Sequence, residues 1–219
     1  RVLVGAHYDH VPNCTGADDN ATGIAGILEL ARVVADGAPL QGTLQIACWD
    51  EEELGLIGSQ AHATRAAAAR IQFETVIAID MIGYTDDTPG SQSLPGNIEL
   101  LFPTEVRTLA DNDYRANFIP IAANTPAGDA AHAMARYAET IDLLAVPLVI
   151  HGGLESDPLL ADLRRSDHAP FWAAGYPAVI VSDTAELRNP YYHCAQGDDA
   201  IDTLDIPFAV TVVRSIVGA

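Results

Sequence analysis

Lysine is absent: the 11 basic side chains are all arginine, set against 30 aspartates and glutamates for a formal net charge of -19. A surface this negative excludes nucleic acid and anionic membrane as partners, because both repel it. Aromatic residues are only 6% of the 219, so any core must be built from Ala, Val, Ile and Leu. No apolar run is long and uncharged enough to span a bilayer, and no basic-then-apolar leader opens the chain. It begins on Arg1 and enters a strand-like run at once, RVLVGAHYDH, which reads as a domain whose beginning is missing. The three cysteines form no CxxC zinc pattern. Cys48 lies in an apolar run and reads as a buried thiol. Cys14 and Cys194 lie in loop-like stretches, which leaves a disulfide between them open.

What is present is concentrated in Leu44 to Ser59, LQIACWDEEELGLIGS. The first six residues suit a buried parallel strand, and Asp50, Glu51, Glu52 and Glu53 follow without a spacer. Four adjacent carboxylates repel one another, so they are either splayed into water or arranged to hold a cation. Gly55 and Gly58 favour a tight turn against the sheet, which opposes splaying. Neighbouring side chains of an extended segment point to opposite sides, so one of Glu52 and Glu53 can ligate while the other handles a proton.

Strand patterns alternate with helical ones along the rest of the chain. Val2 to Ala6 reads as a strand, and Asp18, Asp19 and Asn20 offer caps to a helix carrying Ile24, Ile27, Leu28 and Ala31. Leu56 to Ala69 reads as a helix and Phe73 to Ile82 as a strand. Glu99 to Phe102 reads as an edge strand, Thr104 to Tyr114 and Ala130 to Ala145 as helices, and Val146 to Ile150 as a strand. A short helix runs from Ser166 to Ala174, a strand covers Ala178 to Val181, and a last helix spans about Ile201 to Val217. The alternation predicts an α/β fold, a mostly parallel or mixed central sheet with helices on both faces, and one domain over 1–219.

In such a sheet, chemistry gathers at the carboxyl ends of the strands. His7, the pair Asp18/Asp19, the pair Glu52/Glu53 and Asp80 all fall there, and His193 arrives from a late loop. Each alone has an ordinary explanation: a hydrogen-bonded histidine, a helix cap, an acidic turn. Five coincidences at one end of one sheet are harder to dismiss, and His, Asp and Glu are zinc's usual ligands. Ser166, Asp167 and His168 have the composition of a nucleophilic triad, but consecutive side chains cannot converge as one.

Six blocks in order carry a resemblance: GAHYD at Gly5 to Asp9, GADDNATG at Gly16 to Gly23, EELGLIGS at Glu52 to Ser59, IDMIG at Ile79 to Gly83, SDHAPF at Ser166 to Phe171 and YHCAQGDD at Tyr192 to Asp199. The sequence resembles the M28 family of zinc peptidases, most closely its aminopeptidases. The resemblance implies a three-layer, zinc-exopeptidase-like α/β/α fold and two Zn²⁺ ions per chain. His7 and Asp80 would hold one, Glu53 and His193 the other, and Asp19 would bridge them. Glu52 would be the general base acting on metal-bound water, and Tyr192 would steady the oxyanion. Asp9 would accept a hydrogen bond from the ring of His7, and Asp167 would stand behind the site or in the pocket wall. The same resemblance implies peptide substrates with a free N-terminus and a secreted or periplasmic setting.

Other functions fit the same blocks: a glutaminyl cyclase-like transferase, a carboxypeptidase or dipeptidase of the family, or a non-catalytic module on the fold. Intact Glu52 and the full ligand set favour hydrolysis of the N-terminal residue. The pocket walls are expected from residues 85–98, 117–129 and 151–165.

Overall fold

The computed structural model describes residues 1–96 and 98–219; Asn97, in one of the expected wall segments, lies outside them. Along the chain come β1 (Val2–His7), α1 (Gly23–Asp36), β2 (Leu44–Trp49), α2 (Ile57–Ala68) and β3 (Thr75–Ile79). There follow α3 (Ile98–Leu101), α4 (Pro103–Asp111), β4 (Ile119–Asn124), α5 (Gly128–Glu139), β5 (Ala145–Ile150), α6 (Ala169–Ala173), β6 (Ala178–Val181) and α7 (Ile206–Val217). The strands form one sheet in the order β2-β1-β3-β6-β4-β5. Neighbours run parallel except β4 against β6.

Strands covered on both faces read as continuous apolar runs, and here alternate residues serve opposite layers. Val4, Ile77, Ile79, Ile121 and Val179 face Ile27 and Leu30 of α1, Met134 of α5 and Val212 of α7. Leu3, Val76 and Ala78 face the other way, onto Ala63 of α2 and Phe171 and Trp172 of α6. The three-layer arrangement is therefore the one expected. Gly5 is glycine because a Cβ there would collide with the indole of Trp49. Gly5→Ala is expected to cost about 1–3 kcal/mol through overpacking, read as a lower urea midpoint with an unchanged slope.

The antiparallel junction positions the site. Ile121 pairs with Val181 and Ala123 with Val179, so β4 and β5 begin where β1, β3 and β6 end. Phe118, Pro120 and Val146 thus reach the end of the sheet where the acids gather.

Three expectations need correction, and one strand was not anticipated. Glu99 to Phe102 is no edge strand: Ile98 and Phe102 are buried and the residues between them exposed, a spacing of four that belongs to a helical turn. β4 was hidden by Pro120, since proline argues against an interior strand, yet the pairing with β6 starts only at Ile121. Cys48 is exposed rather than buried, because β2 is the edge of the sheet. The last helix starts at Ile206, where the Asp205 carboxylate caps it by accepting from the Phe208 N–H at 2.9 Å, and Ile201–Thr203 is a separate tight turn.

Candidate metal centre

His7 is the last residue of β1, and Asp80 follows β3. Glu52 and Glu53 follow β2, Asp19 lies in the turn before α1, and His193 sits in the turn Tyr192–Cys194 between β6 and α7. Folding brings these six together. The His7 Nε2 lies 3.3 Å from Asp80 Oδ1 and 3.4 Å from Asp19 Oδ1. The His193 Nε2 lies 3.3 Å from Asp19 Oδ2 and 3.3 Å from Glu53 Oε2. Asp19 therefore turns one oxygen to each histidine. Two groups result, His7 with Glu52 and Asp80, and Asp19 with Glu53 and His193, each with its ligand atoms within 4.8 Å of one another.

The electrostatics follow from crowding. Burial, then the charges of Asp80, Asp167 and Glu53, pushes Glu52 up to about 9, against the pull of His7. Burial and Asp19 push Glu53 up to about 7. Burial opposes a charge on His7, but Asp80, Glu52 and Asp19 outweigh it and raise the imidazole to about 11. Asp80, also buried, is held below the usual carboxylate range by His7. Glu53 Oε1 is buried with no hydrogen-bond partner among the described residues. A largely buried set of four carboxylates and two imidazoles, with only His193 exposed and with an orphaned acceptor, fits a pair of divalent cations, which would relieve the repulsion and take up the free oxygen.

Two backbone clamps hold the set. The Asp9 carboxylate accepts the N–H groups of Glu52 and Glu53, both at 3.1 Å. Its role is thus wider than expected, and the partner of His7 differs: the Asp9 carbonyl is the nearer acceptor, 3.1 Å from Nδ1, with the carboxylate at 3.4 Å. Either way the outer ring nitrogen is fixed and Nε2 is presented to the acids. The second clamp is Asp199, buried, whose carboxylate accepts from Asp18 N–H at 3.0 Å and Asp19 N–H at 2.9 Å. Beside it, Asp198 accepts from the Thr15 hydroxyl at 2.6 Å, and Cys14 is disulfide-bonded to Cys194. The loop bearing His193 is thereby zipped to the loop bearing Asp19. Asp199→Ala is expected to cost about 1–3 kcal/mol for each orphaned N–H and to loosen metal retention, checked by thermal unfolding and metal analysis.

Asn20 ties the remaining edge. Its Oδ1 accepts from Gly23 N–H at 3.0 Å and Met81 N–H at 3.1 Å, and its Nδ2 donates to the Ile79 carbonyl at 2.9 Å. Asp199 and Asn20 both lie inside sequence blocks that marked the site, but a side chain that grips only backbone has no spacing signature. Behind them Asp18 is pushed up to about 6 by burial and kept by Asn189 Nδ2, which donates to it at 2.9 Å.

Tyr192 stacks on the ring of His193, centroids 3.8 Å apart, and its hydroxyl accepts from Arg165 Nη2 at 2.9 Å. It lines a cavity of about 510 Å³ that opens on Asp19, Glu52, Glu53 and Asp80. Asp167 does not line that cavity. It is buried behind it, pushed up to about 7 by burial, and its charge is felt by Glu52. The cavity floor is Ile180 of β6, Pro120 and Ala122 of β4, and Val146 and Leu148 of β5. The expected wall segments contribute Leu94, Phe118, Pro120 and Arg165, while Phe102, just before α4, and Val106 of α4 were not anticipated in the wall.

Residues 1–216 match the model for peptidase family M28. The uncharacterized protein YfbL of Escherichia coli is 30% identical over 226 residues, covering 99% of this chain and 65% of its own. The probable lipoprotein aminopeptidase LpqL of Mycobacterium tuberculosis is 34% identical over 101 residues, 43% of this chain and 20% of its own. In fold, the LapA aminopeptidase of Legionella pneumophila superposes with a TM-score of 0.69 at 22% identity, over 99% of this chain and 50% of that one. A Porphyromonas gingivalis glutaminyl cyclase superposes at 0.63 and 17% identity, over 99% and 70%. The chain thus spans less than two thirds of the length of these curated relatives. With the family model matched almost end to end, the chain belongs to peptidase family M28.

Proposed function

We propose that this chain carries the catalytic centre of a zinc-dependent aminopeptidase, removing the N-terminal residue from peptides with a free N-terminus. One observation supports this above the rest: Asp19 divides its two oxygens between His7 and His193, each of which has a further carboxylate beside it. In this reading His7 and Asp80 would hold one Zn²⁺ and Glu53 and His193 the other, with Asp19 shared between them. Divalent zinc supplies positive charge for a developing oxyanion and lowers the pKa of water from ~15.7 toward ~7.

The chain's own groups do the rest. Glu52 takes the proton of the attacking water and delivers it to the leaving nitrogen. Tyr192 receives a hydrogen bond from Arg165, so its own O–H remains free to donate to the carbonyl oxygen as charge builds there. The Cys14–Cys194 bridge fits an oxidising compartment, which supports a secreted or periplasmic setting.

The deciding experiment is a panel of aminoacyl amides with and without chelator, beside an N-acetylated leucine anilide and an N-terminal glutamine peptide. Chelator-sensitive cleavage of free aminoacyl amides, lost on acetylation of the amine, is expected. Cyclisation of the glutamine peptide without cleavage of the others would replace the aminopeptidase with a cyclase.

A further inference from the structure

The cavity beside the acids is longer than one amino-acid side chain requires. It runs without interruption from Asp80, directly after β3, to Val146 and Leu148 on β5. The sheet order places β6 and β4 between them, so the floor crosses three strand spacings of ~4.8 Å, about 14 Å in all. That is roughly the span of four extended residues. The roof is mostly apolar too, formed by Phe102, Val106 and Leu109 with Glu105 among them.

Several residues of peptide would be poor occupants. β6 and β4 are interior strands, their ladders paired on both sides, and only β5, at the far end, is an edge, so the middle of the floor has no spare row of backbone donors and acceptors. Each peptide group buried there unpaired would be penalised. A hydrocarbon chain makes no such demand. Its end nearest the acids would place a carbonyl beside Glu52 and Tyr192.

We propose that the same centre hydrolyses N-acyl amino acids whose acyl group is a straight apolar chain of roughly twelve carbons, since an extended chain advances only ~1.25 Å along the trough per carbon–carbon bond. This rests on the hydrolase reading above. Water adds to the acyl carbonyl and the C–N bond breaks. The proton taken up by Glu52 goes to the leaving nitrogen, giving a carboxylate and the free amino acid. The acyl chain's burial provides the orientation that a free α-amine provides in a peptide.

Two measurements test it. The affinity of neutral primary amides from butanamide to octanamide, by calorimetry on the zinc-loaded and the chelated protein, is expected to rise about fourfold per methylene throughout. A plateau after four or five carbons, as a pocket for one side chain gives, would overturn the proposal. N-octanoyl-leucine should be hydrolysed, and Val106→Phe, which fills the trough from the roof, should lower the ratio of octanoyl-leucine to alanyl-amide turnover about tenfold. Leucine anilide cleaved with octanoyl-leucine untouched would overturn the acyl activity while leaving the aminopeptidase intact. If neither is cleaved the hydrolase reading itself fails, and the acyl activity with it.

Discussion

Glu52→Gln lowers turnover by about 10²–10⁴-fold and leaves the metal content unchanged. The substitution keeps the shape of a buried side chain beside His7 and Asp80 and removes only the ability to carry a proton. The remaining acids and both histidines are untouched, and the Asp9 carboxylate still holds the N–H of residue 52. Burial and three neighbouring acids raise the Glu52 carboxyl, and cations held beside it would draw it back toward the range in which a group can both accept a proton and give it away. Turnover and metal analysis on one preparation separate the outcomes. Wild-type activity would remove Glu52 as the base, and lost metal would make it a ligand.

Stripping the metal lowers the thermal midpoint, and by more as the pH rises. A cation bound at a thousand times its dissociation constant contributes about 4.1 kcal/mol to the folded state. At 2–4 °C per kcal/mol for a chain of this size, the midpoint should fall by roughly 8–16 °C. The pH dependence comes from Glu53 and Glu52, raised to about 7 and about 9. A carboxyl raised on folding binds more protons folded than unfolded, so its stabilisation is whole below the ordinary glutamate range and drains away as pH climbs through the folded value. The chelated protein should therefore melt progressively lower between about pH 5 and 9, and the zinc-loaded one much less so. A midpoint indifferent to chelator at pH 8 would mean that the acids hold no cation.

The parts of the fold read most easily were those whose hydrophobic period is undisturbed: β1, β3, β6 and α1 fall close to where the pattern puts them. β4 escaped because Pro120 interrupts a run that the antiparallel junction in fact tolerates, although 117–129 was expected to reach the pocket and does. Cys48 was misjudged because an apolar strand says nothing about its place in the sheet, and β2 is at the edge. At the centre, the six acids and histidines were legible because charge is costly to gather without a reason. Asp199 and the true reach of Asp9 were not, since their partners are amide hydrogens that every residue possesses. The helix α4 was expected, but Phe102 was lost to the roof with the mistaken strand at Glu99 to Phe102, because it stands at the junction of two helices.

The disulfide has a consequence beyond the two loops it ties. Its cysteines are 180 positions apart, so the bond encloses most of the polypeptide in a covalent ring. A protease that cuts within that ring, for example in the exposed stretch 37–42, opens the circle without releasing a fragment. Clipped molecules would migrate as intact ones on a denaturing gel and fall apart only when a thiol reductant is added.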